Sequence, residues 1–157
     1  MILKLYNYLE NKLKVAKENK FKDTFEIHKS VRIFHSLVSE IRGNVKIGEG
    51  SYINSARLIT GKKSKIIIGK NCAVGHNVNI LSITHNINNP TGPNLSHIEK
   101  DIIIGDNVWI GTNVFILPGV VIGSGSIIGA NCVVTKSYPY NSVIGGVPSR
   151  LIKEIKK

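Results

Sequence analysis

The sequence predicts an all-β solenoid: a parallel β-helix of six-residue repeats, with an N-terminal helix, one extruded loop and a short C-terminal helix. Three observations carry that reading. An aliphatic residue recurs every six positions at Ile104, Ile110, Ile116, Ile122, Ile128 and Val134. The same beat runs upstream at Ile41, Ile47 and Ile53, and again at Ile68, Val74 and Ile80. The beat is lost in only two places, and in the second the chain comes back in phase.

Taken in order, residues 1–20 form the N-terminal segment. Ile2, Leu5 or Tyr6, Leu9, Leu13 and Ala16 fall at helical spacing with lysines between them. Such a helix either caps the open end of the solenoid or lays a basic face on an anionic membrane. Residues 41–139 are the coils. Each hexad supplies a short strand and a corner, and its aliphatic residue points inward. The glycine or polar residue that follows relieves crowding at the corner, where positive φ is called for. One rung cannot bury its own face, so stacked rungs share a continuous core. Four positions after each aliphatic lies a second inward slot, filled by Val108, Val114, Val120, Ser126, Cys132 and Tyr138. Cys72 falls in the same slot, so both cysteines read as packing residues.

Between Ile53 and Ile68 the spacing is fifteen, so "RLITGKKSK" must hold a bulge or a short extrusion. Between Ile80 and Ile104 it is twenty-four, a whole number of hexads, with Ile98 and Ile102 as the last of them. The misfit is residues 86–97, "NINNPTGPNLSH", whose prolines, glycine and asparagines make a loop. A loop leaving a rigid scaffold is a usual carrier of a site. His85 then stands as the last residue on the rung before the departure. Residues 140–157 form the tail, where "SRLIKEIKK" after "GGVP" reads as a short helix packed back on the coils.

Composition narrows the function. At 157 residues and 42% apolar, the chain reads as one domain with a real core. No apolar run reaches a membrane span and no secretory signal is visible, so a soluble cytoplasmic protein is expected. Two cysteines make no disulfide framework. The net charge of +11 favours polyanionic ligands or bilayer headgroups. The 21 Lys and Arg are dispersed, without interleaved aromatics, which argues against nucleic acid. No GxxxxGK[ST] loop supports nucleotide hydrolysis, and no histidine pair has metal-ligand spacing with a third ligand.

The hexads, the loop and the tail together resemble the hexapeptide-repeat acyltransferases, within them the galactoside, maltose and nodulation-factor O-acetyltransferase group. The likeness runs from Gly43 to Lys153 and rests on "ITHN", "IGDNVWIGTNVFILPGVVIG", "IIGANCVVTK" and "GGVPSRLIKEI". It implies a left-handed parallel β-helix with three hexads per turn, against the usual crossover hand. It also implies an acetyl-CoA donor and a homotrimer with active sites between subunits, while the histidine spacings lead to the expectation of no metal. His85 matches the family's general base, and an imidazole can take the proton of a sugar hydroxyl as it attacks a thioester. Asn54 matches the acceptor-side asparagine, though a corner asparagine in a turn would look the same. An oxyanion donor would lie near Thr112. The coenzyme positions are Trp109, Gly111, Thr112, Gly129, Ala130, Thr135, Lys136, Arg150 and Lys153. Trp109 either borders the pantetheine or packs at an interface, and Lys136 and Arg150 suit phosphates. His97, closing the loop, is a lesser candidate for acceptor contact, and His76 sits on an outward corner. The acceptor is expected to be a sugar or glycan hydroxyl. Serine, an amino sugar or an antibiotic are alternatives, as are a non-catalytic glycan-binding β-helix and a carbonic-anhydrase-like scaffold. The basic N-terminal segment leaves room for contact with the inner face of a membrane.

Overall fold

The computed structural model describes Tyr8, Lys12, residues 25–34 and residues 39–156. The chain winds as a parallel β-solenoid that visits three sheets in turn. The first sheet stacks Asn44–Ile47, Lys65–Ile68, Ile102–Ile104 and Val121–Ile122. The second stacks Arg32–Ile33, Tyr52–Ile53, Ala73–Val74, Trp109–Ile110, Ile127–Ile128 and Ser142–Gly145. The third stacks Glu40–Arg42, Ala56–Ile59, Val78–Leu81, Phe115–Ile116 and Val133–Val134.

Register explains the six-residue beat. On the first face Ile47 pairs with Ile68, Ile68 with Ile104, and Ile104 with Ile122. On the second face Ile53, Val74, Ile110, Ile128 and Ile144 stack in the same way. All of these side chains are buried, as are both cysteines. Burying one such side chain contributes roughly 1.5–3 kcal/mol, and each rests on the equivalent residue of the neighbouring coil.

The corners divide their work between two residues of each hexad. Positive φ falls on the third residue after the aliphatic at Asn71, Asn77, Asn107, Asn113 and Asn131, and at Asn141, three after Tyr138, which takes the aliphatic's place beside Ile122. Asparagine tolerates this because its short amide can bond locally. The glycine directly after the aliphatic serves a different need. A Cβ on Gly75 would stand 2.8 Å from the carbonyl carbon of Gly111, and one on Gly111 2.7 Å from the amide nitrogen of Ala130. Close approach of successive coils, and not positive φ, selects glycine there. At one corner the asparagines also link: Asn77 Nδ2 donates to Asn113 Oδ1 at 2.9 Å, and Asn113 Nδ2 to Asn131 Oδ1 at 3.1 Å.

Three expectations change, and the short extrusion expected in "RLITGKKSK" is located. The coils begin upstream of Ile41, since Ile27 bridges to Ile47 and Arg32–Ile33 pairs with Tyr52–Ile53. The tail is not a helix: Arg150–Glu154 is a strand, antiparallel to Ser142–Gly145. Ser142–Gly145 ends the parallel stack and leaves a row of backbone donors and acceptors, which the returning tail satisfies. The misfit after Ile53 is a hexad one residue short, because Leu58 takes the aliphatic slot beside Ile41 and Ile80. The surplus residues then turn at Thr60–Ser64, between the third and first sheets. At the same corner the chain departs again after Leu81, earlier than expected, as a hairpin of Ile83–His85 and His97–Glu99. Ile98 therefore belongs to the hairpin, and re-entry comes at Ile102.

The N-terminal helix lies outside the described residues, apart from Tyr8 and Lys12. Both are helical, with the Lys12 ammonium 5.0 Å from the centre of the Tyr8 ring. Among the described residues no helix is long and apolar enough to cross a membrane.

Candidate active site

Alternation along a strand turns outward the residue just before each core aliphatic. On the second sheet this makes a column: Arg32, Tyr52, Ala73, Trp109, Ile127, Val143, each in register with the next. Trp109 is 57% exposed, so it faces outward as expected. Ala73 stands between two rings and leaves a notch bounded by Tyr52 and Trp109.

Beside this column runs the corner that carries the second residue of each following turn. His76, Thr112 and Ala130 occupy the same slot in successive coils, and all three are exposed. Column and corner bound a groove of about 390 Å³ that crosses four coils, from Tyr52 and Asn54 to Gly129 and Ala130. Six expected residues meet there: Asn54, Trp109, Gly111, Thr112, Gly129 and Ala130. The two glycines differ. Gly111 is demanded by the coil above it, whereas a Cβ on Gly129 would meet nothing nearer than the Ile144 carbonyl oxygen at 3.4 Å. Gly129 is thus the one with open space on the groove side.

Tyr52 and His76 also line the groove; the sequence places His76 on an outward corner without giving it a role, and does not single out Tyr52. The signal was present in the register: Tyr52 shares the outward slot of Trp109, and His76 shares the corner slot of Thr112.

Thr135, Lys136, Arg150 and Lys153 do not line the groove. Thr135 and Lys136 are exposed just after the last strand of the third sheet. The Lys136 ammonium lies 5.7 Å from the centre of the Tyr138 ring, whose hydroxyl bonds to Ser149 Oγ at 2.9 Å. That link fixes the tail beside Lys136, with Arg150 as the next residue. Lys153 pairs with Val143 on the closing strand.

His85 stands away from the groove as well. It is not held on a rung: it is the outer residue of a hairpin strand, directly across from His97. Their ring centres are 5.0 Å apart and tilted by 41°. The arm is fixed at its base by polar contacts. Lys100 N–H donates to the Ser82 carbonyl at 3.0 Å, and the buried Ser64 and Ser82 hydroxyls bond at 2.8 Å. Glu99 accepts the Lys63 N–H at 2.6 Å, and Asp101 accepts that of Lys65 at 3.0 Å. His97 therefore faces His85 and does not merely close the loop.

Burial pushes the Cys72 and Cys132 thiols above the usual range, and Cys72 Sγ donates to the Gly105 carbonyl at 3.1 Å. Both stay protonated packing groups, unsuited to nucleophilic attack. Among the described residues no group of three His, Cys, Asp or Glu could hold a metal ion.

Residues 101–136 match the family model described as bacterial transferase hexapeptide (six repeats). The solved maltose O-acetyltransferase from Clostridium difficile 630 is 32% identical with a TM-score of 0.73, covering 89% of this chain and 75% of that one. The chain belongs to the hexapeptide-repeat transferases. A solved galactoside acetyltransferase in complex with coenzyme A is 33% identical to this transferase, with a TM-score of 0.71 over 88% of this chain and 70% of that one. The galactoside O-acetyltransferase of Escherichia coli K12 is 40% identical over 112 residues, 71% of this chain and 55% of the relative. The chain spans about half the length of the curated relatives it matches.

Proposed function

We propose that this hexapeptide-repeat transferase moves acetyl from acetyl-CoA to a hydroxyl of a sugar or glycan. The observation that carries the reading is the groove itself. It gathers an acceptor-side amide, Asn54, with Trp109, Thr112, Gly129 and Ala130 on one outer face, in a chain 33% identical to a galactoside acetyltransferase that binds coenzyme A. The pantetheine runs along the groove past Trp109 and the open space over Gly129. Thr135, Lys136, Arg150 and Lys153, beyond its far end, receive the nucleotide and its phosphates.

In the reaction the acceptor oxygen attacks the thioester carbonyl carbon while an imidazole of His85 takes the hydroxyl proton. A backbone N–H at Thr112 steadies the oxyanion. The carbon–sulfur bond then breaks, and the leaving thiolate takes the proton back from His85. His85 is off the groove within one chain, which supports a homotrimer in which the hairpin of a neighbouring copy completes each site. Two buried, unpaired cysteines and a coenzyme A donor fit a cytoplasmic setting.

The test is His85→Ala, assayed by thiol release from acetyl-CoA with sugar acceptors. Transfer is expected to fall about 10²–10⁴-fold, with coenzyme A affinity and oligomeric state unchanged. Wild-type turnover in that variant would remove His85 from the mechanism.

A further inference from the structure

The outward column does not end at the groove. One strand before Tyr52, in register with it, stands Arg32. Its guanidinium carbon lies 5.8 Å from the centre of the Tyr52 ring and 5.6 Å from that of Phe34. The two rings meet edge to face, with centroids 6.1 Å apart. Phe34 and Arg32 are both exposed, and Phe34 runs alongside Asn54, since its N–H donates to the Ile53 carbonyl at 2.9 Å. Arg32, Phe34, Tyr52 and Asn54 thus form one continuous outer surface at the acceptor end.

Arg32, on the second sheet, differs from the paired cations of the first and third sheets. Arg42 and Arg57 pair with Glu40, Lys46 pairs with Glu26, and Lys65 with Asp101. Among the described residues Arg32 has no carboxylate within ion-pair distance, and no acidic residue lines the groove. Two aromatic faces instead hold the guanidinium, which orders its planar fork without neutralising it. An ordered, unneutralised fork beside an exposed ring and an amide is what a flat anionic group on a sugar ring would need. The sugar packs its C–H face on the surface that Phe34 leaves exposed beside the guanidinium, the carboxylate takes the fork, and a hydroxyl reaches Asn54. Arg32 and Asn54 are one strand across and two residues along from each other, so at about 4.8 Å between strands and about 3.4 Å per residue their backbones stand about 8 Å apart, which leaves room for one sugar ring between fork and amide.

Resting on the acetyl-transfer reading, we propose that the acceptor is an acidic sugar whose carboxylate is bound by Arg32. The donor phosphates have their own cations in Lys136 and Arg150, outside the column, so Arg32 is not needed there.

The experiment compares the methyl glycosides of glucuronic, galacturonic and N-acetylneuraminic acids with the methyl esters of the same compounds, alongside methyl galactoside and maltose. Wild type is expected to favour at least one acid over its ester by tenfold or more in kcat/KM. Arg32→Gln should collapse that ratio to within threefold, Arg32→Lys should retain part of it, and KM for acetyl-CoA should stay within twofold. Equal use of acid and ester by wild type overturns the proposal. So does an Arg32→Gln variant that loses both equally, or one whose KM rises for acetyl-CoA. If methyl galactoside or maltose is acetylated and no acid is, the acidic acceptor is wrong while acetyl transfer stands. If no sugar, charged or neutral, releases thiol, the acetyl-transfer reading falls and this one with it.

Discussion

The second sheet and the hairpin of Ile83–His85 with His97–Glu99 carry the two halves of the candidate site, and they are held in opposite ways. On the sheet, every strand sends an isoleucine or valine inward to a stacked column, and the outward position is left free to hold Arg32, Tyr52, Ala73 or Trp109. The hairpin adds nothing to the core. Ile87 and Leu95 in its loop are 86% and 45% exposed, and the arm is tied down at its base by serine, glutamate and aspartate contacts. A solenoid of this kind therefore separates stability from chemistry by direction on the sheet and by distance on the hairpin. Substitutions should sort accordingly.

The largest loss of stability is expected from an inward position of the sheet. Ile110 is fully buried between Val74 and Ile128. Ile110→Ala removes side-chain contact with both neighbouring coils and leaves a cavity that rigid strands cannot close. Unfolding in urea should show a loss of about 3 kcal/mol. A loss under about 1 kcal/mol would mean the coils can collapse inward, and the contrast with the hairpin would blur.

This same column is why the fold was legible in the sequence. A buried aliphatic every six residues leaves a periodic trace, and so did the outward-facing Trp109 and the packing roles of Cys72 and Cys132. The corners were half legible, because glycine and asparagine both signal a turn while only the coordinates separate close approach from positive φ. The hairpin was misjudged in its bounds because Ile98 keeps the six-residue beat, yet it packs in an arm that no stacking partner covers. Tyr52 was missed, and His76 was placed outward without a role, because both matter by register across coils thirty or more residues apart. Arg150–Glu154 was misjudged because the open backbone edge that captures it is a tertiary fact.

A corner should cost less than a core position. Asn113 lies in the left-handed region and both donates to and accepts from its asparagine neighbours. Asn113→Ala loses the side-chain links and places a Cβ-bearing residue at positive φ, for about 1.5 kcal/mol together. Asn113→Gly relieves the backbone and should recover more than half. If glycine is no better than alanine, the amide ladder and not the backbone conformation carries the corner.

The buried thiols give a pH-dependent measure of the same coil interior. Burial raises both cysteines, so the folded chain keeps them protonated where an unfolded chain begins to ionise. Their contribution to stability is full below the ordinary thiol range and declines as pH rises through it. Native protein at pH 8 to 9 should resist modification by a thiol reagent, whereas urea should release two reactive groups. Prompt labelling of the native state would show that the coils open locally.

The smallest effect on stability is expected at the hairpin loop, where the contrast is sharpest. Asn86 N–H already donates to the Ser96 carbonyl at 2.9 Å, so the two ends of the loop stand as a two-residue turn would leave them. Replacing residues 87–95 with Asn-Gly should close the arm with a change of about 0.5 kcal/mol or less, because no core residue is lost. His85 and His97 remain facing each other, and the groove on the second sheet, the proposed coenzyme A site, is untouched. If the loop forms one wall of the acceptor site, KM for the acceptor rises while affinity for coenzyme A holds. A loss of 2 kcal/mol or more would instead mean that the loop packs against the coils, and stability would no longer be separate from chemistry on this side of the molecule.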